Sequence, residues 1–175
     1  MKKLLKFLAY VVVMLALLIF FSPKTNLYYL LEEFAIEKNI YVSDEKVNDS
    51  GFSLNIFNAK VYLDELFLAE AEETSISMWL VYNSFEANNI DLNEGFSDFM
   101  PSVIKHIEVK HHLFNPMSLS LSGESGDSFF YGDVDLFERV VTIHLRLGAK
   151  SEKRFATSLR ALKKEDGGYV YEYKL

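Results

Sequence analysis

Three histidines, His106, His111 and His112, come closest among this chain's residues to a metal-binding cluster. Imidazole nitrogens ligate zinc only when they converge within a few ångströms of one point. On an extended strand, His106 and His112 share a face about 20 Å apart and His111 points away. The spacing therefore predicts ordinary strand histidines. The acids fare no better. Asp133 and Asp135, in Gly132-Asp133-Val134-Asp135, are same-face strand carboxylates of the kind that solvent satisfies, although such a pair can hold a cation. Glu72-Glu73 lacks a neighbour that would drive two pKa values apart for acid–base work. No serine has a nucleophile-elbow setting, and no glycine run resembles a phosphate cradle. With no cysteine, thiol catalysis, Cys-zinc sites and disulfides are all excluded. The residues point to a protein that is not an enzyme and uses no cofactor.

What remains is apolar surface. Leu54, Ile56, Met78, Leu80, Leu119, Leu121, Ile143 and Leu145 recur at alternate positions of separate runs, which places them on one side of a pleated sheet. They form a packed core if that sheet closes or is covered, and an apolar groove if it stays open. Alternation cannot separate the two, because both demand the same binary pattern.

The elements that position them follow from the same period of two, which begins at Ile40. Phe52, Leu54 and Ile56 form one apolar run, and Ala59, Val61 and Leu63 a second. Ile76, Met78, Leu80 and Tyr82 run opposite Ser77, Trp79 and Val81. Met117, Leu119 and Leu121 alternate with serines, and Val141 to Leu147 alternate with Thr142, His144 and Arg146. Turn chemistry separates the runs at Asn48–Gly51, Asn83-Ser84, Asn115-Pro116, Gly123–Asp127 and Gly167-Gly168. Leu92–Ile104 predicts a long loop or short helix. Ser151 is placed to cap a helix burying Phe155, Leu159 and Leu162, before a closing strand over Tyr169, Tyr171 and Tyr173. The fold expected is mainly β: an antiparallel sheet with a short C-terminal helix and a closing strand.

Ahead of the sheet, Phe7–Phe21 carries no charge, and with Leu4 and Leu5 its apolar span is about 27 Å of helix, close to a bilayer's hydrocarbon core. Lys2, Lys3 and Lys6 precede it and Lys24 alone follows closely, so the positive-inside bias keeps Met1 in the cytoplasm. A cleaved signal peptide and a buried core helix are the alternatives. Phe20, Phe21 and Pro23 make a poor cleavage site, which favours an uncleaved anchor. In Thr25–Asn39, Leu27, Leu30, Leu31 and Phe34 share a helical face opposite Glu32, Glu33, Glu37 and Lys38. Its acidic polar side suits covering one end of the sheet better than lying on a membrane. The division expected is 1–23 cytoplasmic tip and anchor, 24–39 juxtamembrane helix, and 40–175 exported β domain.

The formal net charge of −7 argues against a nucleic-acid partner. The charge is uneven. Nine acids and no base lie between Lys60 and Lys105, while eight bases fall within the 26 residues from Arg139 to Lys164. Either the two halves meet and neutralise each other, or they mark separate partner surfaces.

The basic start, single anchor, proline-led helix Ser22–Asn39 and succession of amphipathic strands resemble the AsmA-like proteins and the type II secretion system protein N (GspN). Gly132–Phe137, the strand Val140–Leu147, a short helix and Gly167-Gly168-Tyr169 are similar to the tail of a GspN-type chain. The resemblance implies a single-pass bacterial inner-membrane protein whose C-terminal domain, in the periplasm, is a curved antiparallel β-sheet, taco-like or half-barrel. It implies a non-enzymatic role in envelope secretion or transport with envelope protein partners. A lipid-binding or lipid-transfer module, AsmA-like or LptC-like, is the alternative, with lipid as partner.

Overall fold

In the computed structural model, residues 2–98, 100–165 and 167–174 are described. Met1 and Leu175, the outermost residues of the expected anchor and β domain, therefore lie outside them. Lys2–Phe20 forms α1, a helix long and apolar enough to cross a membrane, with none of its residues buried in protein. It ends at Phe21-Ser22, where Pro23 opens α2, Lys24–Ile36. At the junction Phe20 packs edge-on against Phe52, and a Cβ on Gly51 would run into the Phe20 ring. The φ of +82° at Gly51 also favours glycine.

Eleven strands then form one open antiparallel sheet. They are β1 Ile40–Ser43, β2 Lys46–Asp49, β3 Ser53–Leu63, β4 Leu66–Met78, β5 Tyr82–Leu92, β6 Val103–His112, β7 Asn115–Ser125, β8 Ser128–Asp135, β9 Val140–Arg146, β10 Lys163–Glu165 and β11 Gly168–Lys174. The spatial order is β1-β3-β4-β5-β6-β7-β8-β9-β11-β10, with β2 continuing β1 along the same side of β3. Neighbours in sequence are neighbours in space from β3 to β9, so the turns alternate between two ends of the sheet. α3, Ala149–Arg154, and a 3-10 turn, Ser158–Ala161, lie between β9 and β10.

Several expected boundaries move. The run from Ile76 to Tyr82 is a hairpin: β4 stops at Met78, and Trp79-Leu80-Val81 make the turn. Backbone pairing across the hairpin, Trp79 N–H to Tyr82 C=O, closes it at 3.0 Å. Asn83-Ser84 lies inside β5, and Asn115-Pro116 begins β7 after a turn at Leu113-Phe114. The C-terminal helix is shorter than expected. Phe155 and Leu159 are buried, but Lys163 and Lys164 belong to β10.

The helix α2 does cover one end of the sheet, but not with its leucine face. Lys24, wholly buried, points its ammonium at the Phe20 and Ser22 carbonyls (3.4 and 3.3 Å) and pairs with Asp49 at 3.6 Å. Tyr28 packs on the core of Leu54, Ile56 and Ala59. These two contacts set the helix's rotation, and Leu27, Leu30, Leu31 and Phe34 are left exposed.

The two apolar runs of β3 are one strand whose alternation slips by a residue at Asn58, which has φ +56°. Asn89 in β5, φ +50°, slips β5 in the same way. Register aligns Asn58 with Glu72 and Glu72 with Asn89, and strand pairing is interrupted at both steps. The slips therefore form one line across β3, β4 and β5. Because all three strands slip together, Leu54 and Ile56 stay on the same face as Ala59 and Val61.

Candidate functional site

Cross-strand register sorts the sheet into two faces. One transverse row reads Leu54, Ile76, Phe85, Val109, Leu121, and beyond Gly132 it continues to Ile143 and Tyr171. The adjacent residues on the other face read Asn55, Ser75, Glu86, Glu108 and Ser122. There Lys110 pairs with Glu108 at 2.7 Å, a bond that raises the lysine's pKa. One face is greasy and one is wet.

On the apolar face, between α2 and the middle of the sheet, lies a cleft of about 290 Å³. Its floor is built from small side chains: Ala59 pairs with Ala71, Val61 with Ala69, and Thr74 with Ala87. Ile56, Ile76, Phe85, Ile90 and Ile107 form its sides, and Tyr28 of α2 overhangs it. Protein interiors are ordinarily filled to crystal density. Alanines at inward positions leave room that leucines would have closed. The aligned slip at Asn58 and Asn89 brings Ala59, Ala71 and Ile90 onto this face.

The Tyr28 hydroxyl is buried and has no hydrogen-bond partner among the described residues. Burial pushes its pKa well above the ordinary tyrosine range, with the negative charges of Glu45 and Glu32 adding to the effect. It is a neutral donor at the edge of an apolar hollow, suited to a neutral acceptor such as an ester carbonyl.

No family model, curated protein or solved structure matches the chain.

Seven of the eight residues expected to form a groove or core share the apolar face. Leu54 and Ile56 are core, and Ile56 also lines the cleft. Met78, Leu119, Leu121, Ile143 and Leu145 are half-buried and extend the apolar face beyond the cleft. Leu80 falls in the β4–β5 turn and joins neither. The reading of apolar runs missed Tyr28 and the alanine floor, whose signal is small residues at inward positions.

The polar candidates do not converge. His106 bonds Asn88 at 2.7 Å, His111 bonds the Pro116 carbonyl at 3.2 Å, and His112 lies beside the Tyr82 ring. Asp135 accepts the Phe137 and Glu138 amides, which makes it a turn residue. No group of three or more His, Asp or Glu gathers among the described residues. The acidic and basic segments touch without pairing their charges. No salt bridge joins them among the described residues, and Arg154 and Ser158 instead bond the Ser97 and Asp98 carbonyls.

Proposed function

We propose that this chain is a non-enzymatic, inner-membrane-anchored envelope protein whose periplasmic β domain shelters an acyl chain as a lipid-binding or lipid-transfer module. One observation carries the reading: the apolar face stays open over an alanine floor, beside a helix that leads directly from a membrane-length segment. A groove of this kind holds hydrocarbon by excluding water from both partners, at ~25 cal/mol per Å². The lysines in the first turns of α1, Lys2, Lys3 and Lys6, support a cytoplasmic N-terminus and a periplasmic sheet. The resemblance to AsmA-like proteins supports the same assignment.

Native mass spectrometry of the detergent-extracted chain tests the carrier role. The expected result is a phospholipid-sized adduct. Ala71→Leu and Ala87→Leu, which fill the floor, lower its occupancy by about tenfold, the effect of losing ~1.4 kcal/mol of contact. Wild-type protein that never carries lipid would sink the proposal.

A second reading, an assembly component of secretion machinery, is favoured by one edge. β10 pairs only with Gly168–Val170, so Tyr171–Lys174 of β11 have no partner strand on that side among the described residues. Exposed edges of this kind accept a strand from another protein. Cross-linking from Glu172→Cys to one envelope protein in intact cells would favour it.

A further inference from the structure

The turns at the two ends of the sheet differ in kind. At one end are Ser50-Gly51-Phe52, Trp79-Leu80-Val81, Leu113-Phe114 and Leu136–Arg139, whose only charges are Glu138 and Arg139. Phe114 is 87% exposed and Phe137 82%, and Trp79, Val81, Leu113 and Leu136 are exposed as well. At the other end the β3–β4, β5–β6 and β7–β8 turns each carry a carboxylate: Asp64-Glu65, Glu94 with Asp98, and Asp127. Water alone gives no reason to sort apolar tips to one end.

The apolar end is the end at which α1 arrives. Phe20, the last residue of α1, packs on Phe52 at 5.4 Å. Phe52 stacks flat on Trp79 at 4.9 Å, and Trp79 stacks in turn on Tyr82. Gly51 is pressed against the same Phe20 ring, and the pairing of buried Lys24 with the partly exposed Asp49 ties the start of α2 to β2 at this end. A packed aromatic line thus fixes the foot of α1 to the first two apolar turns. Hairpins repeat every two strands, so the further tips stand about 10 and 20 Å along the same end.

We propose that this end of the sheet docks on the bilayer that α1 crosses, with Trp79, Phe114 and Phe137 seated at the headgroup–acyl boundary. The inference rests on α1 being a membrane anchor. Amphipathic aromatics concentrate at that depth, and apolar side chains enter it by roughly 5–10 Å. The strands then stand away from the membrane surface, and the apolar cleft, bounded by strands rooted at that surface, faces sideways above it.

The chain supplies its own reporter, because Trp79 is its single tryptophan and it has no cysteine. The full-length protein is reconstituted into phosphatidylcholine–phosphatidylglycerol vesicles containing lipid with a nitroxide high on the acyl chain. An environment-sensitive dye is placed beside the tips at Asn115→Cys and Glu138→Cys, and at the opposite end at Asp64→Cys and Glu94→Cys. Nitroxide lipid should quench Trp79 and the dyes at 115 and 138 at least about twofold more than those at 64 and 94. Phe114→Asp/Phe137→Asp should abolish quenching at 115 and 138 while α1 keeps the protein in the vesicles. Equal quenching at both ends, in protein that resists alkaline carbonate extraction, would overturn the docking and leave the anchor standing. Release by carbonate would remove anchor and docking together.

Discussion

Asn89 donates its side-chain amide to the Glu72 carboxylate at 2.6 Å, across the β4–β5 pair. Both residues sit on the line where the alternation of β3, β4 and β5 slips. The bond braces a strand residue held at φ +50°. A left-handed conformation costs a residue bearing a Cβ about 1–2 kcal/mol, and asparagine tolerates it better than most. Asn89→Gly should therefore leave stability nearly unchanged, while Asn89→Val should lose about 1–2 kcal/mol. Urea melts in detergent would show this, and a valine variant as stable as the glycine variant would refute the strain account.

The apolar face should divide energetically along its length. Leu54 is 1% exposed, beneath Tyr28, whereas Leu121 is half-buried on the uncovered stretch. Leu54→Ala should cost about 3–5 kcal/mol, from lost burial plus the cavity left behind. Leu121→Ala should cost about 1 kcal/mol, as substitutions away from a closed core do. Comparable losses at the two positions would mean that the open stretch is covered in the folded protein.

Lys24 and Asp49 should respond unequally to substitution. Asp49→Asn leaves a fully buried ammonium facing only the Phe20 and Ser22 carbonyls. Removing one partner of a buried pair costs about 3–5 kcal/mol, and the partly exposed carboxylate brings the expected loss toward about 2. Lys24→Met, which removes the charge and keeps the stem, should be milder. Thermal unfolding of the pair of variants checks the order, and a methionine variant that is the less stable would reverse it.

Asp127, in the β7–β8 turn, reaches the start of α3. Its carboxyl is held below the usual range, chiefly by the Ser151 hydroxyl and further by the Lys150 amide. The folded value lies below the unfolded one, so the contribution is present above about pH 4 and is lost as pH falls through the folded value. Amide exchange in α3 should rise over that acid range in the wild type, and Asp127→Ala should show the faster exchange already at pH 7. An α3 indifferent to both would sever this link.

The period of two from Ile40 onward determined a mainly β chain with one greasy face, and the uncharged run Phe7–Phe21 determined a helix of membrane length. Those properties are local, because pleat and helix rise dictate which side of a strand or how long a span each residue occupies. What covers a face is not local. The rotation of α2 was set by Lys24 meeting Asp49 and Tyr28 meeting Leu54, contacts that α2's own leucine spacing contradicted. Ala59, Ala71 and Ala87 became a cleft floor only when register brought three separate strands side by side. Leu80, read from alternation as part of a strand, became a turn because the β4–β5 pairing closed at Met78. The chain's own pattern settled polarity, and long-range pairing settled enclosure, since burial belongs to neighbours that sequence distance does not reveal.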